Sequence, residues 1–372
     1  MNRAAIAGVA IIFLIVGLAG GYQWGVSSVP PGTTTTMTST VTETVKETVT
    51  QAPVTTVPLE YRVAMIVPGD HNDLSWNNAA IDGLQQVGKE LNIDVHWEDW
   101  ILAKDAENTM RRLAGKEGYN MILAHSFDYM DAVNKTARDF PNVVFGWATG
   151  FTNFGLKNVA TYDWPSHQAA YLAGYIAANM TKSGIIACMG GFSVPDVDRG
   201  MWGFIYGAQA YNPNIKILAD YILAWDDPDK AKEHTLALLN QGADVIYNGG
   251  DGISKGTIEA AVEWKASGKY VYIIGGIYDQ YELASDITLT SVVFYPATNI
   301  RQMVEDARKG QLQPSYLMDM TKGGVDLAPY HNMESAIPQS VRDKVAEMRQ
   351  AIISGTLTIT NTETEVPAKT GF

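Results

Sequence analysis

The sequence contains a single cysteine, Cys188, among its 372 residues. One thiol cannot form an intramolecular disulfide, and it cannot supply a zinc site built from several cysteines. Its place deep in the chain also excludes a lipid anchor attached to an N-terminal cysteine. Because Cys188 lies in the apolar run 185–189, we expect it to fill the core. The folded chain must therefore be stabilised by packing rather than by an internal cross-link.

Basic residues are scarce as well, with 27 Lys and Arg against 40 Asp and Glu and a net charge of −13. A protein that binds nucleic acid by neutralising phosphates needs the opposite balance, so nucleic acid is not an expected partner. Signatures of catalysis are also missing. The sequence has no Gly-x-Ser-x-Gly elbow, no His-Glu-x-x-His helix and no dinucleotide-binding fingerprint after its first strand. We therefore expect no enzyme, no cofactor and no metal site.

The amino-terminal residues 1–26 are dominated by an uncharged, apolar run from Ala4 to Gly21, preceded by Arg3. A run of about 18 residues is long enough to cross a bilayer as a helix. A positive charge before the run tends to keep the amino terminus inside the cell. The sequence thus predicts a membrane anchor with the remaining chain outside. The alternative is a secretory signal that is cleaved near the small residues 17–21.

A Thr-rich tract follows over residues 27–59. It has little large apolar surface to bury, so it cannot compensate for the entropy lost on ordering, and we expect a disordered stalk. A β-strand made by alternating Thr and Val is the alternative interpretation.

From residue 60 onward short apolar runs alternate with segments of helical periodicity. This order predicts an α/β fold of two doubly wound lobes, each with a parallel sheet. The expected first lobe covers 60–163 and is completed by about 295–315. The expected second lobe covers 164–294 and is completed by about 316–360. Ligands of such sheets bind beyond the carboxyl ends of the strands, so the loops at those ends are the predicted site.

These loops carry short motifs in a specific order, beginning with Asp73-Leu74-Ser75-Trp76-Asn77. Further along the chain come Gly190-Gly191 with the segment 195–200, then the segment 242–247 and Asp279-Gln280. Together they resemble the basic membrane protein family of ABC-transporter substrate-binding proteins, which includes purine nucleoside receptors. The resemblance implies a periplasmic-binding-protein fold of type I, whose two lobes close on a purine nucleoside or nucleobase. It also implies an ABC permease and its ATPase as partners.

A purine needs aromatic rings for stacking and polar groups for its edge. With the resemblance, this requirement selects ten candidate ligand-binding residues: Asp73, Trp76, Asn77, Phe127, Asp196, Trp225, Gly250, Asp251, Asp279 and Phe294. Structural roles compete at several of these positions. Trp76 is typical of a residue that seals a helix to its sheet, and Asp73 and Asp251 are also candidate helix N-caps. Arg199 is expected as a buried partner of Asp196 or Asp198.

The chain departs from the nucleoside receptors at two positions. Ile277 stands where those receptors usually have an Asp, and Val292 follows Thr290-Ser291 where they place a Lys. Both missing groups are expected to hold ribose hydroxyls, so the departures favour a bare base or a differently held nucleoside. A sugar-binding or autoinducer-binding protein of the same fold, and a ligand sensor, remain as alternatives.

Overall fold

The computed structural model of the protein describes residues 61–367. The first half of this region alternates strands and helices: β1 (Arg62–Ile66), α1 (Trp76–Leu91), β2 (Asp94–Glu98), α2 (Ala103–Gly115), β3 (Met121–Ala124), α3 (Met130–Asp139), β4 (Val144–Ala148) and β5 (Val159–Asp163). The predicted anchor and stalk lie outside the described residues. Within 61–367, no helix combines the length and the apolarity that crossing a membrane requires.

The second half continues the alternation: α4 (His167–Met180), β6 (Ile185–Gly190), α5 (Pro195–Tyr211), β7 (Lys216–Tyr221), α6 (Pro228–Asn240), β8 (Val245–Asn248), α7 (Ile253–Ala266), β9 (Tyr272–Ile277), β10 (Thr288–Phe294), α8 (Pro296–Arg308), β11 (Ser315–Leu317), β12 (Val325–Leu327) and α9 (Gln339–Ile353). The predicted pattern of strands and helices is therefore present, with shifts of a few residues at element ends.

Two six-stranded sheets organise these elements, in the orders β11-β5-β4-β3-β1-β2 and β12-β10-β9-β8-β6-β7. All pairs of the first sheet are parallel. The second sheet is parallel apart from β12, which pairs antiparallel with β10. Both faces of each sheet are covered by buried apolar side chains, which fits the continuous apolar runs of strands such as β3 and β8.

The chain passes between the two sheets three times. It leaves the first sheet after β5, returns after β10 as α8 packs on α1, and crosses again between β11 and β12. One detail differs from the expectation. The sequence predicts that residues from about 316 onward complete the second lobe, but Tyr316 of β11 pairs with Tyr162 in the first sheet. Strand periodicity identifies the strand but not the sheet that accepts it.

Helices α4 and α5 pack unusually closely in the second lobe because glycines remove side chains from their interface. A Cβ atom at Gly174 would overlap the carbonyl oxygen of Phe204, and one at Gly207 would overlap that of Tyr171. Only glycine permits this approach. The contact fixes α5, whose amino-terminal turn reaches the space between the lobes.

Candidate ligand-binding site

A cavity of about 380 Å³ lies between the two lobes, at the carboxyl ends of strands from both sheets. Its volume is in the range of sites that take small molecules. Eight of the ten residues chosen from the sequence contribute to its wall: Asp73, Trp76, Asn77, Phe127, Asp196, Trp225, Asp251 and Phe294. The structure therefore brings these eight residues together, although they come from six different segments of the chain.

Trp76, the first residue of α1, is held in place by neighbouring rings. Its indole stacks on His125 with ring centroids 4.1 Å apart, and it meets Trp164 edge to face at 5.7 Å. The indole N–H donates to the carbonyl oxygen of His125 over 3.2 Å. Burial lowers the pKa of His125 to about 3, so this imidazole is neutral at physiological pH. Trp76 thus combines the predicted sealing role with a place in the cavity wall.

Asp73 caps helix α1, as its competing interpretation proposed. One carboxylate oxygen accepts from the backbone N–H groups of Ser75 and Asn78, at 2.8 and 3.0 Å, and the other accepts from that of Asn77 at 2.9 Å. These groups are free at the start of a helix. Burial raises the pKa of Asp73, and the three donors act against that rise. The carboxylate is largely committed to the backbone.

Three other oxygens of the wall, from Asn77, Thr149 and Asp196, have no hydrogen-bond partner among the described residues. The side chains of Asn77 and Asp196 each bury one oxygen, Oδ1, that accepts no hydrogen bond from a described residue. Asn77 is only 6% exposed, so its oxygen can be satisfied only from the cavity or from the few atoms around it. Buried acceptors without donors cost free energy, and a bound ligand is a common remedy.

Asp196 has a pKa raised to about 6, mainly because the carboxyl group is buried. Arg199 opposes this rise, whereas Asp163 adds to it. The sequence predicted Arg199 as the ion-pair partner of Asp196 or Asp198. The structure instead pairs Arg199 with Asp163 and, over 3.1 Å, with Glu363. The carboxylate of Asp198 accepts from Ser193 and Tyr221. The short distance in sequence between Arg199 and these two Asp residues suggested them as partners, but it could not reveal partners from distant segments.

Asp251 sits in the left-handed region, with φ of 58°, on the loop between β8 and α7. Its backbone N–H donates to the hydroxyl of Ser75 in the first lobe over 2.7 Å. Gly250, directly before it, has φ of 108°, and a Cβ there would overlap the side chain of Ile277. Gly250 itself is not part of the cavity wall. It allows the loop to pass Ile277 and to present Asp251.

Aromatic rings enclose the cavity from both lobes. Phe127 lies 6.4 Å from Trp147 in the first lobe, and Trp225 lies 4.9 Å from Phe192 in the second. Phe294 stacks on Trp164, with ring centroids 5.4 Å apart and nearly parallel planes. These rings supply flat, weakly polar surfaces on which an aromatic ligand can stack.

Asp279 does not reach this cavity. Its carboxylate pairs with His331 over 2.8 Å, and it borders a second groove of about 680 Å³. Ile277 and Phe294 line both spaces and so lie between them. Ile277 has φ of 70°, where the backbone leaves β9 toward Asp279. The sequence offered no signal for this change of direction.

Sequence reasoning missed several residues of the wall. Asp226 follows Trp225 in the same loop, so its acidic side chain could have been chosen with its neighbour. Tyr247 and Ser166 also line the cavity. Tyr247 belongs to a buried strand and Ser166 precedes α4, and neither carries a motif that marks it. Their contribution depends on how the second lobe is packed.

A possible cation site occurs at the cavity mouth. Asp70, His71 and Asp99 place potential ligand atoms within 4.8 Å of one another. Ion pairs already account for this group, since His71 lies 2.6 Å from Asp99 and Lys255 lies 3.6 Å from Asp70. These contacts give no support to a metal centre.

Several hydrogen bonds connect the lobes around the cavity. The hydroxyl of Ser75 donates to the carbonyl of Gly276 over 3.3 Å, in addition to accepting from Asp251. The side-chain amide of Gln280 donates to the carbonyl of Leu74 over 3.2 Å. The lobes are therefore in contact beside the cavity, in a closed arrangement.

Two lobes that enclose a cavity at the carboxyl ends of their strands are the architecture of a ligand-binding protein. The comparison with family models is specific: residues 61–363 match the Bmp family, described as ABC transporter substrate-binding protein PnrA-like. The chain belongs to this family. The resemblance inferred from the sequence motifs is thereby confirmed.

Known relatives agree with this assignment. The chain is 30% identical over 303 residues to a purine-binding protein of Brucella abortus (strain 2308), covering 80% of this chain and 82% of the relative. It is 26% identical over 305 residues to the ABC transporter nucleoside-binding protein BmpA of Lactococcus lactis subsp. cremoris (strain MG1363), covering 77% and 85%. A crystal structure of an ABC transporter solute-binding protein from Aeropyrum pernix K1 matches with a TM-score of 0.73 at 21% identity, covering 81% and 94%, and shows the same fold.

Proposed function

We propose that this protein is the extracellular receptor of an ABC importer and binds a purine nucleobase or nucleoside between its lobes. The observation that carries the proposal is the cavity itself, which combines aromatic rings with buried oxygen acceptors in a family of substrate-binding proteins. The names of the two relatives, purine-binding and nucleoside-binding, support the same ligand class.

A bare base fits the wall better than a nucleoside held in the usual way. Ile277 lines the cavity with an apolar side chain where a carboxylate would accept from ribose hydroxyls. Val292 is fully buried in the core of the second lobe, so it offers no group to a ligand. The hydroxyl of the neighbouring Ser291 accepts from the backbone of Gln280 over 3.1 Å. These positions provide no replacement for the two missing ribose contacts.

Delivery to a permease is the role that follows for an anchored receptor. Residues 1–26 would hold the protein in the cell membrane, and residues 27–59 would tether the extracellular domain to them. Ligand binding would favour the closed arrangement of the lobes, which the permease would then recognise. The apolar run and the Thr-rich tract of the sequence support this arrangement.

Thermal unfolding of the full-length chain in mild detergent tests the ligand class. Adenine, hypoxanthine, guanine, adenosine, guanosine and a panel of sugars are each added to ligand-free protein. A ligand that binds only the folded state raises its stability by about 2.7 kcal/mol at 100 times its Kd. We expect a higher melting temperature with purine bases. A response to sugars alone would refute the proposal.

Replacement of a wall residue tests the place of binding. Trp76→Ala removes a ring of the wall, so we expect purine affinity to fall by about 10- to 100-fold, measured by calorimetry. Val262→Ala, at an exposed position on α7, serves as the control and should leave the affinity unchanged. If Trp76→Ala folds and binds purines normally, the ligand lies elsewhere.

A further inference from the structure

The charge of the cavity wall has one sign. Six carboxyl groups line it, from Asp70, Asp73, Asp128, Asp196, Asp226 and Asp251, and no described Lys, Arg or His does so. Negative charges at short range repel an anionic ligand, most strongly where water is excluded. Phosphorylated forms of a purine are therefore poor ligands for this cavity.

Asp251 shares the cavity wall with three acidic residues that act on its carboxyl group. The charges of Asp73, Asp196 and Asp226 all act on it, each coming from a different segment of the chain. The nearby cation Lys255 lies within 3.6 Å of Asp70 and so compensates a carboxylate at the mouth. Carboxylates this close together in a buried site do not all ionise, and at least one holds a proton.

The surroundings decide which carboxyl group keeps that proton. Asp73 receives three backbone donors, Asp226 is exposed to solvent, and Asp196 feels the positive charge of Arg199. No described residue donates a hydrogen bond to the carboxyl group of Asp251. Burial and its three acidic neighbours raise the pKa of Asp251 well above the usual range. Among these four carboxyl groups, ionisation therefore costs the most free energy at Asp251.

A protonated carboxyl group presents one donor and one acceptor, whereas an ionised one presents only acceptors. The first pattern complements a ring nitrogen beside an exocyclic amino group, as in a 6-aminopurine, and also a ring N–H beside a carbonyl, as in hypoxanthine. The second complements a ring N–H beside an amino group, as in guanine. We propose that Asp251 is a specificity-determining residue that pairs as a neutral acid with the ring nitrogen and amino group of a phosphate-free 6-aminopurine.

This inference rests on the proposed function, because it assumes that a purine occupies the cavity. The unpartnered oxygens of Asn77 and Asp196 add to it, since they can accept from further N–H groups of the same ligand. An aminopurine base carries such donors on its amino group and on its imidazole ring. The wall is thus complementary to a ligand rich in donors.

Calorimetric titration of the full-length protein, its Asp251→Asn variant and its Asp251→Ala variant tests the assignment. Asn has the shape of a neutral acid and likewise offers one donor and one acceptor. We therefore expect Asp251→Asn to bind adenine within about threefold of the unaltered protein, and Asp251→Ala to bind it about 10- to 100-fold more weakly. The unaltered protein should prefer adenine to guanine and hypoxanthine, because the second N–H of the 6-amino group can also donate to an unpartnered oxygen of the wall, and it should prefer adenosine to AMP.

The matched control is Asp229→Asn, which makes the same change at an exposed position of α6 and should not alter binding. Circular dichroism and ligand-free melting curves show whether each variant folds, and Asp251→Asn remains informative if Asp251→Ala does not. Three results would each overturn the inference and leave the proposed function intact. They are an equal loss of adenine affinity in Asp251→Asn and Asp251→Ala, tighter binding of guanine than of adenine, and binding of AMP as tight as that of adenosine. No binding of any purine by the unaltered protein would refute the proposed function itself.

Discussion

At the scale of single residues, the site contains a carboxyl group, that of Asp196, whose ionised form is disfavoured by burial. Asp196 lies at the start of α5 with one oxygen that no described group satisfies. Its carboxyl group has a pKa of about 6 in the folded chain, against about 3.9 for an unperturbed Asp. Burial therefore disfavours the ionised form of Asp196 in the folded state, and groups of this kind are frequent at functional sites.

Replacement of Asp196 by Asn should stabilise the ligand-free protein at neutral pH. Because the folded state binds this proton more tightly than the unfolded chain does, stability falls as pH rises from about 4 to about 6 and stays lower above it. Asn carries no charge, so Asp196→Asn should be more stable than the unaltered protein by roughly 1–2 kcal/mol at pH 7.5, with little of this difference near pH 4.

Denaturant unfolding at several pH values measures the effect of Asp196→Asn. Asp229→Asn, an exposed change of the same kind, should give no such pH dependence. A variant that is less stable than the unaltered protein at every pH would show that Asp196 contributes to the fold through its charge.

At the scale of elements, the position of the cavity depends on how α5 is seated. Arg199 ties this helix to Asp163 at the end of β5 and to Glu363 near the carboxyl end of the described chain. Trp202 of the same helix donates to the carbonyl of Thr364 over 2.8 Å. On its other side, α5 lies against the glycine-lined surface of α4. Its first turn can therefore hold Asp196 at the wall.

A methyl group at the α4–α5 interface should disturb this arrangement. Gly207→Ala improves intrinsic helix propensity by about 1 kcal/mol, but its Cβ would overlap the backbone of Tyr171. Backbone cannot rotate away as a side chain can, so we expect a net loss of about 1–3 kcal/mol in the free energy of unfolding. Gln209→Ala, exposed on the same helix, should change it by less than about 0.5 kcal/mol. Equal stability of the two variants would mean that the helices are less tightly packed than described.

At the scale of the whole molecule, one hydroxyl takes part in two of the hydrogen bonds that join the lobes beside the site. Ser75 is fully buried, accepts from the backbone of Asp251 and donates to that of Gly276. Both partners belong to the second lobe, whereas Ser75 precedes the first helix of the first lobe. The closed arrangement therefore depends on a contact that opening would break.

Removal of this hydroxyl should favour an open arrangement. Ser75→Ala leaves the N–H of Asp251 unpaired only while the lobes are closed, which costs about 1–3 kcal/mol, whereas the carbonyl of Gly276 still accepts from the N–H of Tyr278 over 2.8 Å. In an open form water can satisfy the N–H of Asp251. We expect a larger radius of gyration by small-angle scattering without ligand and a purine affinity lowered by about 5- to 100-fold. Ser335→Ala, at an exposed position, should change neither quantity. An unchanged radius of gyration and an unchanged affinity would refute this role.

Much of the architecture could be predicted because strands and helices carry local periodicity. The apolar run 185–189 and the helical spacing after Trp76 depend only on neighbours in sequence, and the structure has a strand and a helix there. The family could likewise be recognised from the sequence, because its motif around Asp73 consists of residues that are neighbours along the chain. Membership of a sheet, as for Tyr316, depends on distant segments and could not be predicted from a local pattern.

The candidate site, like the fold, could be predicted only in part from the sequence. The sequence by itself determined that acidic and aromatic residues follow the strands, since the carboxyl ends of parallel strands meet at one edge of a sheet. Only the tertiary structure decided that Asp73 caps a helix, that Asp279 faces a different groove, and that Asp251 lies among three other carboxyl groups. Hydrogen bonds and charges act through space, and their partners here come from both lobes. The order of residues fixed which groups were available, and folding fixed which of them share a cavity.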